Sequence, residues 1–138
     1  MNFFFHNTIT INGENYSSIS LQENAHLVSQ DTTHEYFDFW NFIKNWLDES
    51  KDYIEVKTSG STGKPKIIKH KKERMLASAK MTCDFFGLND RHKVLLCLSP
   101  SHIGGMMMVV RALYTGMSLE VVKPSSNPLF NLDEEIDF

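Results

Sequence analysis

The chain has few cysteines, no long apolar run and no excess of basic charge, and each shortage argues against a class of protein. Its two cysteines, Cys83 and Cys97, lack the spacing of a zinc site and the density of a disulfide framework, so we expect buried free thiols in a reducing cytoplasm. No apolar run reaches the ~18 residues that cross a bilayer, and the N-terminus lacks the basic segment of a secretory signal. Lys and Arg number 14 against 17 Asp and Glu, which gives no reason to expect nucleic acid or an anionic membrane as a partner.

The most informative stretch is Thr58-Ser59-Gly60-Ser61-Thr62-Gly63-Lys64-Pro65-Lys66, which contains no large apolar side chain. Its glycines permit positive φ, so that successive N–H groups can form a concave nest for an anion. Its hydroxyl groups and lysines are donors whose hydrogen bonds to charged oxygens are strong. The stretch therefore indicates an anion-binding loop, although a polar surface turn would use the same residue types.

Neither common glycine-rich nucleotide motif fits this stretch. The Walker pattern has four residues between its glycines, whereas two residues separate Gly60 from Gly63, and G-x-G-x-x-G is absent. Pro65 restricts the residue before it to extended geometry, so the chain should leave the loop as a strand. The sequence thus predicts a hairpin-like phosphate loop between strands over 53–57 and 66–69. Four apolar side chains are expected to anchor these strands: Ile54, Val56, Ile67 and Ile68.

Turn and periodicity signals before the loop predict a hairpin and a helix. Residues 8–11 and 14–17 can pair as two strands around the Asn12-Gly13 turn. Residues 18–31 are polar and give no signal. Thr32-Thr33-His34-Glu35 fits a capping box, and apolar side chains then recur at helical spacing.

A further helix is predicted over 72–86, because apolar side chains share one stripe and Gly87 stands where a C-terminal cap is expected. The stripe comprises Met75, Ala79, Thr82 and Phe86. Between Lys64 and Arg74 the chain carries six basic residues and one acidic residue. These are a solvated face or neighbours of bound phosphate, and a nucleic-acid surface is the remaining alternative.

The continuous apolar run over 94–98 predicts a strand that is covered on both faces, as in a parallel sheet. It ends just before His102 and Gly104-Gly105, and open α/β sheets bind ligands beyond the carboxyl ends of their strands. His102 could equally cap the next helix, over 103–114. Arg111, the only charged residue of that helix, either extends to the surface or faces an anion. Gly116 and a strand over 118–122 follow.

The nine-residue loop resembles, position for position, the signature [ST]-S-G-[ST]-T-G-x-P-K of the adenylate-forming superfamily. This superfamily comprises acyl-CoA synthetases, luciferases and peptide-synthetase adenylation domains. The resemblance implies that the loop holds the β- and γ-phosphates of ATP through Thr58, Ser59, Gly60, Ser61, Thr62, Gly63 and Lys66. It implies a catalytic role for Lys66 rather than Lys64, since the signature fixes only the former position. No residue is assigned to a metal.

A second block, Leu98-Ser99-Pro100-Ser101-His102-Ile103-Gly104-Gly105 with the Met-rich helix after it, is similar to the same superfamily. Among the members of that superfamily, the block is most similar to the o-succinylbenzoate:CoA ligases of menaquinone biosynthesis. The resemblance implies that His102, Gly104, Gly105 and Arg111 contact the acyl substrate. It further implies that the full-length enzyme uses ATP, Mg²⁺ and CoA with a small carboxylate such as o-succinylbenzoate. It gives no oligomeric state.

The same resemblance implies that the chain is the first part of a large N-terminal domain. The superfamily's adenine loop, Mg²⁺ carboxylate, ribose-binding Asp, hinge and lid lysine all lie beyond the matched region, so this chain alone is expected to be inactive. We expect one truncated domain over 1–138, with a hairpin and loop over 1–31, an α/β core over 32–123 that includes phosphate loop 58–66, and an incomplete tail over 124–138. The expected fold is a mixed, largely parallel sheet flanked by helices. Another acyl-CoA synthetase, an adenylation domain and a non-catalytic nucleotide-binding module remain as alternatives.

Overall fold

The computed structural model describes residues 7–58, 63–123 and 136. Within these ranges the strands are β1 (Thr8–Ile11), β2 (Glu14–Ser17), β3 (Tyr53–Thr58), β4 (Lys66–Lys71), β5 (Lys93–Leu96) and β6 (Ser118–Val121). The helices are α1 (Ser18–Val28), α2 (Phe37–Leu47), α3 (Lys72–Phe86) and α4 (Ile103–Thr115). No described helix has the length and apolar character needed to cross a membrane. The incomplete tail that we expect over 124–138 lies outside the described residues, apart from residue 136.

The larger sheet is mixed and largely parallel, which confirms the expected fold class. Its strand order is β2-β1-β6-β5, in which β6 runs parallel to β1 and β5 while β1 pairs with β2 in antiparallel. The predicted N-terminal hairpin is also confirmed, since Asn12 and Gly13 have the positive φ values, 49° and 82°, that a primed turn requires. Helix α1 packs on α2 and α3 packs on α4, and these helices share one apolar core with the sheet.

A separate two-stranded sheet carries the predicted phosphate loop. Strands β3 and β4 pair in antiparallel from Tyr53 opposite Lys71 to Thr58 opposite Lys66. Ile54 and Val56 on β3 are buried, as predicted. The prediction that two isoleucines anchor β4 is wrong, because Ile67 and Ile68 are 58% and 43% exposed. Of the two hairpin strands, only β3 packs apolar side chains into the core.

The start of α2 differs from the prediction, and α1 was not predicted at all. Helix α1 occupies most of the span expected as loop, and Ser17 and Ser20 form a capping box at its start. Helix α2 begins at Phe37 rather than directly after residues 32–35, and its N-cap residue makes no side-chain cap bond. The predicted capping box is absent because Asp31 accepts hydrogen bonds from the backbone N–H and hydroxyl of Thr33.

Helix α3 has the predicted bounds and ends at Gly87, which takes a positive φ of 65°. Its buried stripe differs from the prediction: Phe86 is exposed and Thr82 is half-buried. The residues that it buries recur at steps of three or four, namely Lys72, Met75, Ala79 and Cys83. Strand β5 ends two residues earlier than predicted, and Leu98 beyond it is exposed. Cys83 is a buried free thiol as expected, whereas the free thiol of Cys97 is half-buried.

Candidate functional site

The ends of the β3–β4 hairpin bring together the described members of the predicted phosphate loop. Thr58 and Lys66 form the last register pair of the hairpin, and the Thr58 hydroxyl donates a hydrogen bond of 3.3 Å to the Lys66 carbonyl. Gly63 has a φ of +89°, and no atom lies within 4 Å of the position that a Cβ would occupy there. Lys66 and Gly63 are exposed, while 59–62 lie outside the described residues. An exposed lysine, Lys66, and an open backbone position, Gly63, therefore lie together where the loop leads into β4.

A cleft of about 480 Å³ lies between α2, the β3–β4 hairpin and the turn before α4. The residues that line it include Asp38, Asn41, Phe42, Lys57, Ile67 and His102. Lys57 and Ile67 pair across the hairpin, and the next pair along is Thr58 with Lys66. The predicted phosphate loop therefore starts at the mouth of the cleft that contains His102.

His102 reaches this cleft because the turn after β5 is fixed by local hydrogen bonds. The Ser99 carbonyl accepts a bond of 3.2 Å from the His102 N–H, and the Ser99 hydroxyl accepts one of 3.2 Å from the Ser101 N–H. His102 occupies the N-cap position of α4, yet its side chain makes no cap hydrogen bond. His102 is exposed beside the cleft, and it caps α4 through its backbone position and not through its imidazole.

Neither of the two predicted glycines lines the cleft, and only Gly105 is required by close backbone packing. Gly105 is buried, and a Cβ at this residue would lie 2.3 Å from the Ser99 carbonyl oxygen. Gly104 is exposed, and a Cβ there would make an ordinary contact of 3.4 Å with the Leu98 side chain. The absence of a side chain at Gly105 lets the first turn of α4 pack closely on the preceding turn, which places His102.

Arg111 lies on a different side of α4. It is half-buried, is not among the residues that line the His102 cleft, and its Nε atom is buried without a hydrogen-bond partner. Arg111 is close enough to Cys83 on α3 to favour the thiolate, but burial dominates and raises the pKa of the Cys83 thiol. The described residues therefore do not bring Arg111 together with His102.

A buried lysine at the foot of the hairpin was missed by sequence reasoning. Lys72 is 0% exposed, and its Nζ donates a hydrogen bond of 2.7 Å to the Asp48 carbonyl. Burial lowers the pKa of the Lys72 ammonium, and the nearby carboxylates of Asp48 and Asp52 partly offset this effect. The signal that could have identified Lys72 was its helical spacing from Met75, which places it on the buried stripe of α3. It was missed because a lysine in a run of basic residues suggests a surface position.

Carboxylates border the cleft, but none forms a metal site with its neighbours. In the ranges that the structure describes, no group of three or more His, Cys, Asp or Glu could hold a metal ion. Hydrogen bonds from the hydroxyl and N–H of Ser50 lower the pKa of Asp48, which is exposed at the rim. The described cleft is therefore suited to polar and anionic groups near its lysines and to apolar groups near Phe42 and Ile54.

Comparison with known proteins defines the class. The family model "AMP-binding enzyme" matches residues 25–135, most of the chain. The chain therefore belongs to the AMP-binding enzyme family, and the resemblance to adenylate-forming enzymes is confirmed.

Individual relatives agree with this class. The 2-succinylbenzoate--CoA ligase of Haemophilus influenzae is 39% identical over 62 residues, which cover 45% of this chain and 14% of that protein. An acyl-CoA synthetase (AMP-forming)/AMP-acid ligase II-like protein from Dyadobacter fermentans has a similar structure, with a TM-score of 0.65, 34% identity, and coverage of 79% of this chain and 32% of that one. The adenylation domain of a keto acid-selecting peptide-synthetase module, bound to keto acyl adenylate, gives a TM-score of 0.52 at 27% identity and covers 60% of this chain and 16% of that one. The matched parts of the chain thus span about a third of the Dyadobacter structure and a seventh of the Haemophilus protein.

Proposed function

We propose that this chain supplies the phosphate loop and part of the acyl pocket of an ATP-dependent, AMP-forming acid:CoA ligase. The observation that carries the proposal is the adjacency of the loop to the cleft. The last hairpin pair before the loop, Lys57 and Ile67, lines the same cleft as His102. A nucleotide phosphate at the loop and a carboxylate in the cleft would thus be neighbours, as adenylation requires.

The described residues fit a phosphate group. Gly63 has a positive φ and open space where a Cβ would otherwise lie, so a phosphate oxygen can approach its backbone N–H. Lys66 is exposed at the same end of the hairpin, and its ammonium adds a charged donor. Thr58 joins them, and Ser59, Gly60, Ser61 and Thr62 complete the proposed set outside the described residues. No described group fits Mg²⁺, so we assign no residue to that ion.

The proposed chemistry has two steps: a carboxylate and ATP give an acyl adenylate and pyrophosphate, and the thiol of CoA then gives the thioester and AMP. In the first step Lys66 would stabilise the negative charge that accumulates on the departing pyrophosphate. The backbone donors of the loop would hold the same oxygens. His102 and the residues of its cleft would contact the acyl group, and Gly105 would keep the His102 turn in place. We propose Gly104 and Arg111 as further substrate contacts, which lie outside the lining of the described cleft.

We propose o-succinylbenzoate as the acyl substrate, which would place the parent enzyme in menaquinone biosynthesis. The name of the Haemophilus relative supports this choice, although the match spans 45% of the chain. Lys51 and Lys57 line the cleft together with three carboxylates, and these two lysines would pair with the carboxylates of an anionic substrate. A second candidate is another acyl-CoA synthetase or an adenylation domain, which is favoured by the likeness to the keto acid-selecting module. A cytoplasmic location would suit either enzyme.

Calorimetric titration of pyrophosphate, and separately of MgATP, into the chain tests the phosphate loop. Lys66→Ala should weaken pyrophosphate binding by about 10- to 100-fold, because a hydrogen bond to a charged group contributes roughly 1.5–3 kcal/mol. Lys64→Ala is the matched control, since it removes the same charge from the same exposed loop. Equal weakening in both variants would indicate general electrostatic attraction and would contradict a specific role for Lys66.

A further inference from the structure

Lys72 is a fully buried lysine in a chain whose other described lysines are half-buried or exposed. Removing an ammonium from water is costly unless hydrogen bonds and opposite charges compensate. A methionine or leucine would fill the same volume on the apolar stripe of α3 without this cost. The buried charge therefore calls for a specific interaction to explain it.

Two hydrogen bonds tie Lys72 to the segment that joins α2 to β3. Its Nζ donates to the carbonyl of Asp48, the C-cap residue of α2, at 2.7 Å. Its backbone N–H donates to the carbonyl of Asp52, the residue before β3, at 2.8 Å. The last carbonyls of a helix lack partners within the helix and carry partial negative charge, so an ammonium is a favourable partner there.

These bonds lie at the base of the hairpin that carries the proposed phosphate loop. Tyr53 pairs with Lys71 at this base, and Thr58 pairs with Lys66 at the other end. A strand of this length extends ~20 Å, so a rotation of ~5° at the base would move the far end by ~2 Å. Errors of ~1 Å in placing reacting groups can lower a rate about 100-fold.

We propose that Lys72 is a positioning residue that clamps the base of the β3–β4 hairpin to the C-terminal end of α2 and so sets where Lys66 stands relative to the His102 cleft. The positioning of phosphate rests on the proposed function, whereas the clamp is a property of the chain itself. The clamp controls the width of the cleft, because Asp48, Lys51 and Tyr53 all line it.

Lys72→Met tests the clamp, because it keeps the volume and the backbone bond but removes the Nζ donor. Cys83→Ala is the matched control: Cys83 is buried on the same stripe of the same helix and lies away from the hairpin. Lys72→Gln, which retains a shorter neutral donor, replaces Lys72→Met if that variant does not fold. Each protein is measured by amide hydrogen exchange and by pyrophosphate titration.

In Lys72→Met the amides of β3 and β4 should exchange about tenfold faster than in wild type, with a smaller change in β5 and β6. Cys83→Ala should change exchange in the two sheets equally. Pyrophosphate should bind Lys72→Met about fivefold more weakly, and Cys83→Ala as tightly as wild type. If Lys72→Met bound pyrophosphate more weakly but its β3 and β4 amides did not exchange faster, the loss of affinity could not be attributed to the clamp.

Uniform exchange changes in Lys72→Met, like those of the control, would overturn the clamp. A loosened hairpin with unchanged pyrophosphate affinity would overturn the positioning role and leave Lys72 as a structural residue. Failure of the wild-type chain to bind pyrophosphate would instead count against the phosphate loop, and with it the positioning role, while the exchange data would still decide whether the clamp exists.

Discussion

Gly105 marks the closest approach between α4 and the turn before it. A Cβ there would lie 2.3 Å from the Ser99 carbonyl oxygen, so Gly105→Ala must displace backbone atoms. We expect a loss of about 3 kcal/mol in the free energy of unfolding. Gly104→Ala is the matched control, because its Cβ meets only the end of a flexible leucine side chain, at 3.4 Å. Its stability should equal that of wild type or exceed it by up to roughly 1 kcal/mol. Urea denaturation of both variants measures the difference, and equal stability would contradict the packing assigned to Gly105.

Tyr16 should titrate at unusually alkaline pH. Burial and a 3.0 Å hydrogen bond to the Glu14 carboxylate raise its pKa to about 12. The folded pKa thus lies above the unfolded value of about 10, so the folded chain holds this proton more tightly. The stability that results is complete below pH ~10 and is lost as the pH rises through ~12. The difference in tyrosinate absorbance between wild type and Tyr16→Phe isolates this group, and a difference titration centred near pH ~10 would disprove the shift.

At the scale of elements, the N-terminal hairpin is joined to β6 through its turn. Asn12 has a φ of +49°, its N–H donates to the Leu119 carbonyl at 2.9 Å, and its Oδ1 accepts from the Val121 N–H at 2.7 Å. Asn12→Ala should lower the free energy of unfolding by about 2–3 kcal/mol, from a lost hydrogen bond and from strain at positive φ. Asn12→Gly keeps the φ and loses only the side-chain bonds, so it should lower stability by about half as much. Thermal unfolding of the two variants separates these contributions, and equal losses would mean that the turn geometry contributes nothing.

The two capping boxes show why element starts were harder to predict than element types. Thr32 to Glu35 matches the capping pattern, but no such box forms, and Asp31 instead accepts hydrogen bonds from the N–H and hydroxyl of Thr33. At α1 the box uses serine at both positions, Ser17 and Ser20, and so escapes a pattern that expects Glu or Gln at the second. An alternative local hydrogen bond explains the first case and an unusual residue type explains the second, and spacing alone predicts neither.

The sequence predicts which side chains are buried only where the apolar residues of a helix or strand follow a single period. In α1, only Leu21 and Ala25 are buried, while Ile19 and Leu27 are about two-thirds exposed, at 68% and 67%. A polar segment with so few buried apolar positions shows no clear helical period, so α1 was not predicted. On β4 the opposite error occurred: apolar Ile67 and Ile68 were expected to anchor a strand that proves to be exposed.

Across the whole molecule, the candidate site combines a wall that was predicted with one that was not. The end of β5 and the glycine pair predicted a ligand site at His102, and His102 lines a cleft of about 480 Å³. The opposite wall comes from α2 and the hairpin, and Lys72 joins the two at their base. Their meeting depends on contacts between residues far apart in sequence, which periodicity does not report.

The loop and the cleft of this chain should bind phosphate without catalysing adenylation. Lys66 and His102 are exposed, and charges in contact with water interact weakly compared with charges in a water-excluded site. The chain spans 32% of the similar Dyadobacter structure, so we propose that further parts of such an enzyme are needed to exclude water. We expect no exchange of labelled pyrophosphate into ATP above the buffer rate, with or without o-succinylbenzoate. The Dyadobacter protein, tested with a panel of carboxylates, provides the reference for the assay. Carboxylate-dependent exchange by this chain would show that the described cleft is already sufficient for adenylation.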